Sequence, residues 1–342
     1  MIQFLLRRLG TMALTLLAIS ALVFVIINLP PGNYLSNQIA EMRATGEAAG
    51  VAQAEALIER YALDKPIWQQ YLIWLGIYPG IDGFDGLLQG NLGWSFELEQ
   101  PVAEVLGETV VLTIIVNLAA LIFVYAVALP LGTIAAVRAN GWVDYIASFV
   151  GYIGLATPNF LLALIMLTYG SAYLGIPVGG LMAREFEGEP MSMEKLGSIA
   201  LHLIVPTIVI GTSAAAAVMR RLRANLMDEL NKPYVETAKA KGVDPVARTI
   251  RYPLRMALNP FVADIGNLAP QLVSGSVMIS VVMSLPTIGP ILLQALRSQD
   301  IFMSGFILLF VSALTLVGML ISDILLAILD PRIRLASGRK SA

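Results

Sequence analysis

The sequence has no cysteine and a single histidine, His202. The first absence excludes disulfides, thiolate metal sites and cysteine nucleophiles. The second leaves His202 without neighbours of ligand type, so it reads as an ordinary interfacial residue. Charge is scarce as well: charged residues make up 13% of the chain and the formal net charge is -2. A nucleic-acid binder needs a clustered basic surface on a soluble domain, and none is present. There is no G-x-x-x-x-G-K-[ST] phosphate loop, so the chain has no ATP cradle. No carboxylate pair, Ser/His/Asp set or metal cluster faces one interface, which argues against a membrane-embedded enzyme and leaves no catalytic residue to nominate. What is abundant is hydrocarbon. With 57% hydrophobic residues and a mean hydropathy of +0.76, the chain has too little polar surface to cover a soluble globule.

Arg7 and Arg8 precede an apolar run from Leu9 to Leu29, long enough at 1.5 Å per residue to cross a hydrocarbon core of about 30 Å. Pro30-Pro31-Gly32-Asn33 follows as a helix stop and turn, which predicts a retained transmembrane helix rather than a cleaved signal. Further apolar runs cover 110–137, 143–174, 199–219, 257–285 and 302–329. The expectation is an all-α, polytopic membrane protein with six transmembrane helices. Sixteen Lys and Arg lie on the side holding the termini and the 220–255 loop, against six on the other. By the positive-inside rule both termini are cytoplasmic.

The predicted organisation is an N-terminal transmembrane helix (1–29), an external segment with short amphipathic helices (30–108), a five-helix transmembrane core (109–335) containing a cytoplasmic loop at 223–255, and a tail (336–342). In the external segment Ala54, Leu57, Ile58 and Tyr61 recur at helical spacing. The glycine-rich stretch 78–86 is expected to be a flexible loop. Trp68, Tyr71 and Trp74 read either as an aromatic belt at the membrane interface or as a docking surface for a partner. The acidic cluster Glu185, Glu187, Glu189 and Glu194 in the 175–198 loop reads as a solvated face. Gly211 with Ala214 to Ala217 is a candidate helix-contact face, because small residues let helices approach closely. Ionisable residues within a bilayer are functional candidates. Asp264 and Asp323 qualify, with Asp144 and Asp330 near the cytoplasmic ends.

The most informative polar stretch is Tyr234-Val235-Glu236-Thr237-Ala238-Lys239-Ala240-Lys241-Gly242. Asn231 is a candidate helix cap and Pro233 suits a first turn, where no amide donor is needed. Gly242 is placed to end the helix in a left-handed conformation. Asp244 and Pro245 open a second short helix that carries Val246, Ala247, Ile250 and Leu254 on one side. Two short helices about a glycine make a knob able to enter a groove, with small residues at Thr237, Ala238 and Ala240. A basic amphipathic loop resting on anionic lipid is the other reading of the same charges.

This stretch resembles the EAA loop of permease subunits of ABC importers, in the variant of the dipeptide, oligopeptide and nickel permeases. Glu236, Ala238 and Gly242 match its core, and Thr237 is the substitution usual in peptide-type members. The resemblance extends along the chain. It includes Gly90-Asn91-Leu92-Gly93-Trp94-Ser95 before the second span, Ala156-Thr157-Pro158-Asn159-Phe160 in the third, Leu285-Pro286-Thr287-Ile288-Gly289 with Gln299-Asp300 before the last, and Asp330-Pro331-Arg332-Ile333-Arg334-Leu335 at the end. The Ile-x-Leu-Pro element of other EAA loops is replaced by Pro253 to Pro260, a form similar to the peptide branch.

The resemblance implies that residues 234–242 dock into a separate ATPase subunit and transmit its closure to the spans by alternating access. It also implies the partners: a homologous second permease, two ATP-binding subunits that hold ATP and Mg, an external solute-binding protein and membrane lipid, with no cofactor on this chain. The implied location is the inner (plasma) membrane. Pro158, Asn159, Asp264, Ser280 and Pro286 become candidates for translocation or gating. Ser280 stands where peptide permeases usually place a glutamate, and Thr287 where they place a glycine. The expected solute is an oligopeptide or dipeptide, with an oligosaccharide or opine-like solute as the alternative. An ion-coupled secondary transporter is the reading from another class.

Overall fold

The computed structural model describes residues 2–46, 48–175, 177–186, 188–190 and 192–329. Glu187, the Asp330–Leu335 signature with Arg332 and Arg334, and the 336–342 tail with Arg339 and Lys340 lie outside the described residues. In chain order the helices are α1 (Ile2–Ile27), α2 (Tyr34–Thr45), α3 (Ala48–Arg60), α4 (Ile67–Leu75), α5 (Val102–Val137), α6 (Trp142–Ala156), α7 (Asn159–Ile165), α8 (Ser171–Leu174), α9 (Met193–His202), α10 (Ile204–Leu230), α11 (Pro233–Ala240), α12 (Pro245–Arg251), α13 (Pro253–Val282), α14 (Ile288–Ser298) and α15 (Ile301–Leu329). The described strands are β1 (Trp94–Ser95) and β2 (Gln100–Pro101), an antiparallel pair.

By length and composition α1, α5, α10 and α15 can each cross a membrane. Two bent pairs bring the total to six: α6 with the segment from Asn159, turned by 95°, and α13, whose axis turns by 60° between the part ending at Gly266 and the part beginning at Gln271. With each bent pair counted as one span the number reaches the six expected, but the run 143–174 is broken at Thr157-Pro158 rather than straight. Proline disfavours helix in the residue before it and supplies no amide to the preceding turn, so the break falls there.

The described residues divide into two compact units, one within 5–112 and 287–313, the other within 113–286 together with 2–4 and 314–329. In the first, α1 leaves most of its apolar surface uncovered, with Leu14, Leu17 and Leu22 all exposed, as a helix bathed in lipid should. Its buried residues are Ser20, Val23 and Phe24, and Phe24 meets Tyr71 and Trp74 of α4 at ring-centroid distances of 5.5 and 5.4 Å. Ser20 and Tyr71 share a hydrogen bond of 2.8 Å. This alters the aromatic-belt reading: Tyr71 and Trp74 pack inward, and only Trp68 of the three is exposed.

The glycine-rich stretch is a built turn and not a floppy insert. Gly80 and Gly83 exchange backbone hydrogen bonds of 2.8 and 3.2 Å, and Gln89 donates to the Gly76 carbonyl at 3.1 Å. Gly86 sits so close to Gly76 that a Cβ would lie 2.4 Å from the Gly76 amide nitrogen. The predicted helix around Ala54 is α3. Asp300, fully buried ahead of α15, receives the Ser95 hydroxyl at 2.6 Å and the Met303 amide at 3.2 Å, so it ties the hairpin to the helix start.

In the second unit α10 packs against α6, α7 and α13. Val218, Met219, Leu222 and Leu226 of α10 join Val124 and Ala128 of α5 and Phe261 of α13 in one buried cluster. Close approach is written into small residues. A Cβ on Gly211 would lie 2.5 Å from Phe123, and one on Gly132 2.8 Å from the Met219 carbonyl oxygen. The predicted contact face on α10 is thus in place, with Gly211, Ala215 and Ala216 all buried.

Candidate functional site

The stretch singled out in the sequence becomes α11, a tight turn and α12. Pro233 occupies the first helical position, where its missing amide costs nothing. Asn231 does not cap α11. It ends α10 instead, with its Nδ2 donating to the Met227 carbonyl at 3.0 Å, and the α11 cap position falls on Lys232 without a side-chain hydrogen bond. The reason is that α10 runs to Leu230, eleven residues past the Met219 boundary expected from hydropathy, so only Asn231 and Lys232 separate the helices. At about 1.5 Å per residue, α10 is longer than a bilayer core is thick.

Gly242 adopts φ +75°. Its amide donates to Lys239 at 3.0 Å and the Val243 amide to Ala238 at 3.2 Å, the paired bonds of a left-handed helix stop. Asp244 then accepts from the amides of Val246 and Ala247 at 3.0 and 3.1 Å, capping α12. The two helices present different faces. On α11, Val235 and Ala238 are buried while Tyr234, Glu236, Thr237, Lys239, Ala240 and Lys241 are exposed. Ala238 therefore supports the knob from beneath, and the close-approach surface is Thr237 with Ala240. On α12, Val246 and Ile250 are exposed. The Tyr234 hydroxyl donates to Glu229 at 2.5 Å. Burial raises the Tyr234 pKa above that of a free phenol, and the hydrogen bond to the Glu229 carboxylate adds to it.

The knob is held to the spans through α10. Arg223 makes two hydrogen bonds to the buried Asp144 at the start of α6, the second of 2.6 Å. Arg221 pairs with Asp264 of α13 at 2.7 Å and lies over the Phe261 ring at 5.6 Å. Arg220 lies over Tyr152 of α6 at 5.0 Å. These arginines were legible as positive charge but not as ties to particular neighbours. The lone carboxylates Asp144 and Asp264 in oily segments were the available signal.

The other candidates are placed as follows. Pro158 stands at the 95° bend, and the Asn159 carboxamide oxygen accepts from Ser213 of α10 at 2.6 Å. Ser280 is fully buried near the end of α13, and its hydroxyl has no hydrogen-bond partner. Pro286 is exposed. Asn159 and Asp264 thus both bond side chains of α10, Ser213 and Arg221, whereas the Ser280 hydroxyl does not. His202 bonds the Ser198 carbonyl through Nδ1 at 2.8 Å, in keeping with an ordinary role. Among the described residues no group of three His, Cys, Asp or Glu side chains is arranged to hold a metal ion.

Comparison with known proteins bears on both units. Residues 128–335 match the family described as Binding-protein-dependent transport system inner membrane component, and residues 1–119 match its N-terminal counterpart. The chain is 32% identical over 321 residues to the oligopeptide transport system permease protein AppB of Bacillus subtilis (strain 168), covering 93% of this chain and 95% of that protein. It is 30% identical over 354 residues to the dipeptide transport system permease protein DppB of Escherichia coli (strain K12), covering 98% and 99%. Among solved structures, a chain of the inward-facing MetNI methionine ABC transporter is similar in fold, with a TM-score of 0.51 and 18% identity, covering 66% of this chain and 97% of that one.

Proposed function

Because this chain belongs to the binding-protein-dependent transport system inner membrane components, we propose that it forms the translocation pathway of an ATP-driven importer for oligopeptides or dipeptides. Its spans and its family make it a multi-pass inner-membrane protein and a transport component rather than an enzyme. The observation that carries the proposal is the capped α11–α12 knob with its left-handed Gly242, within a chain similar over nearly its whole length to peptide permeases. The knob faces the cytoplasm, on the side where Lys and Arg concentrate. It docks into a separate ATP-binding subunit that holds ATP and Mg. The complex further comprises a homologous second permease, a second ATP-binding subunit and an external solute-binding protein. Closure of the ATPase pair moves α11, and α10 passes the motion to α6 and α13 through its arginines. Solute enters from outside by alternating access, with Pro158 and Asn159 at the bend, and Asp264, Ser280 and Pro286 along α13 and its end, as the candidate gating positions.

The absence of cysteine gives a clean test. Thr237→Cys and Ala240→Cys, on the exposed face of α11, should form disulfides with cysteines placed in the ATPase cleft, whereas Ala238→Cys, on the buried face, should not. Efficient cross-linking from position 238 with none from 237 and 240 would overturn the docking assignment.

A further inference from the structure

Phe123, Val127 and Leu131 stand at four-residue steps along α5 and form one wall of an open, strongly apolar groove of about 400 Å³. Trp142, Val150 and Gly151 of α6 contribute the facing wall. The volume falls within the range of about 300–1,000 Å³ typical of small-molecule sites. Trp142 is 73% exposed at the very start of α6, where an aromatic ring with a polar edge suits the boundary between hydrocarbon and headgroups. The same end of the groove carries a cation. Arg138 follows Leu131 by seven residues, which on a helix returns to within about 20° of the same stripe. Its amide still donates to Ile134 at 3.0 Å, so helical geometry persists to that point. Arg138 is exposed, and no ion pair holds it among the described residues. The carboxylate that opens α6, Asp144, is taken up by Arg223.

The geometry points to a bound anionic phospholipid, one acyl chain lying in the α5–α6 groove and the headgroup phosphate on Arg138. In a bilayer the tails are as apolar as the groove, so burial alone selects nothing and packing supplies the fit. Selection comes from the uncompensated charge at the mouth. One such cation favours an anionic headgroup by about fivefold.

The test uses the assembled transporter in phosphatidylcholine vesicles that carry either dibrominated-chain phosphatidylglycerol or dibrominated-chain phosphatidylcholine. The Trp142 signal is taken as the difference between the complex and its Trp142→Phe variant. The expected result is stronger quenching by the brominated phosphatidylglycerol, corresponding to about fivefold preference, which falls towards unity in Arg138→Gln. Val150→Phe, at an exposed position lining the groove, should weaken quenching by both lipids. Equal quenching by the two lipids, or a preference that survives Arg138→Gln, would overturn the assignment. So would a Trp142 that neither lipid quenches, because a partner subunit would then cover the groove. The readout is binding and not transport, so its failure leaves the importer proposal standing, and the reverse holds too.

Discussion

Gly242 allows the coupling proposal to be tested by backbone conformation alone. The residue adopts φ +75° and a Cβ built on it would meet nothing within 4 Å. A side chain there adds no clash with neighbours, so the penalty is the intrinsic one for an L-residue in the left-handed region, roughly 1–2 kcal/mol and larger for β-branched residues. Asparagine tolerates that region better than alanine does. The expected order of function is therefore Gly, Asn, Ala, Val, whereas an order set by side-chain size would place alanine ahead of asparagine. A penalty of about 2 kcal/mol corresponds to roughly a 30-fold shift in the local equilibrium. Gly242→Val should lower peptide-stimulated ATP hydrolysis of the reconstituted complex by at least tenfold, while amide exchange rises across residues 233–251 and membrane insertion is unchanged. Unaltered coupling in Gly242→Val, or alanine outperforming asparagine, would refute the reasoning.

Other outcomes follow from buried polar groups. Asp144→Ala removes the partner of the half-buried Arg223 guanidinium and should destabilise the chain by about 1–3 kcal/mol, read as a fall in Tm of the purified complex; the double variant Asp144→Ala/Arg223→Met should recover much of it. Ser280→Ala removes a buried hydroxyl that has no partner, so Tm should hold or rise, since leaving such a group unpaired costs about 1–3 kcal/mol. Burial raises the Asp300 pKa, opposed by hydrogen bonds from Ser95 and the Met303 amide. Its ionised form is thus disfavoured in the fold, and its contribution to stability is fully present below the ordinary carboxylate value and lost as pH rises through the raised one. Thermal stability followed from neutral pH downward should show an acid-side gain that Asp300→Asn flattens; an unchanged profile in that variant would contradict the assignment.

Local rules served well where the structure is local. Pro233, Gly242, Asp244 and Pro245 were readable because a first-turn proline, a left-handed stop and an aspartate cap each depend on a few adjacent atoms. Asn231 was misplaced because the same residue can open one helix or close the one before it, and the arginine-rich extension of α10, invisible to hydropathy, decided which. Tyr71 and Trp74 read equally as an interfacial belt or a docking surface, because Phe24, which packs against them from some fifty residues away in sequence, is invisible to local pattern. The Asp144–Arg223 and Asp264–Arg221 ties were unreadable for the same reason: pairing across helices depends on register between spans, and a single sequence does not encode that register locally.

The central claim is tested most directly by uptake of a labelled oligopeptide into proteoliposomes containing the permease pair, the ATP-binding subunits and the external binding protein. Accumulation is predicted with ATP, with loss when the ATP-binding subunits are omitted and no response to an imposed ion gradient. Gradient-driven uptake without those subunits, or ATP-driven uptake of oligosaccharides with none of peptides, would contradict it.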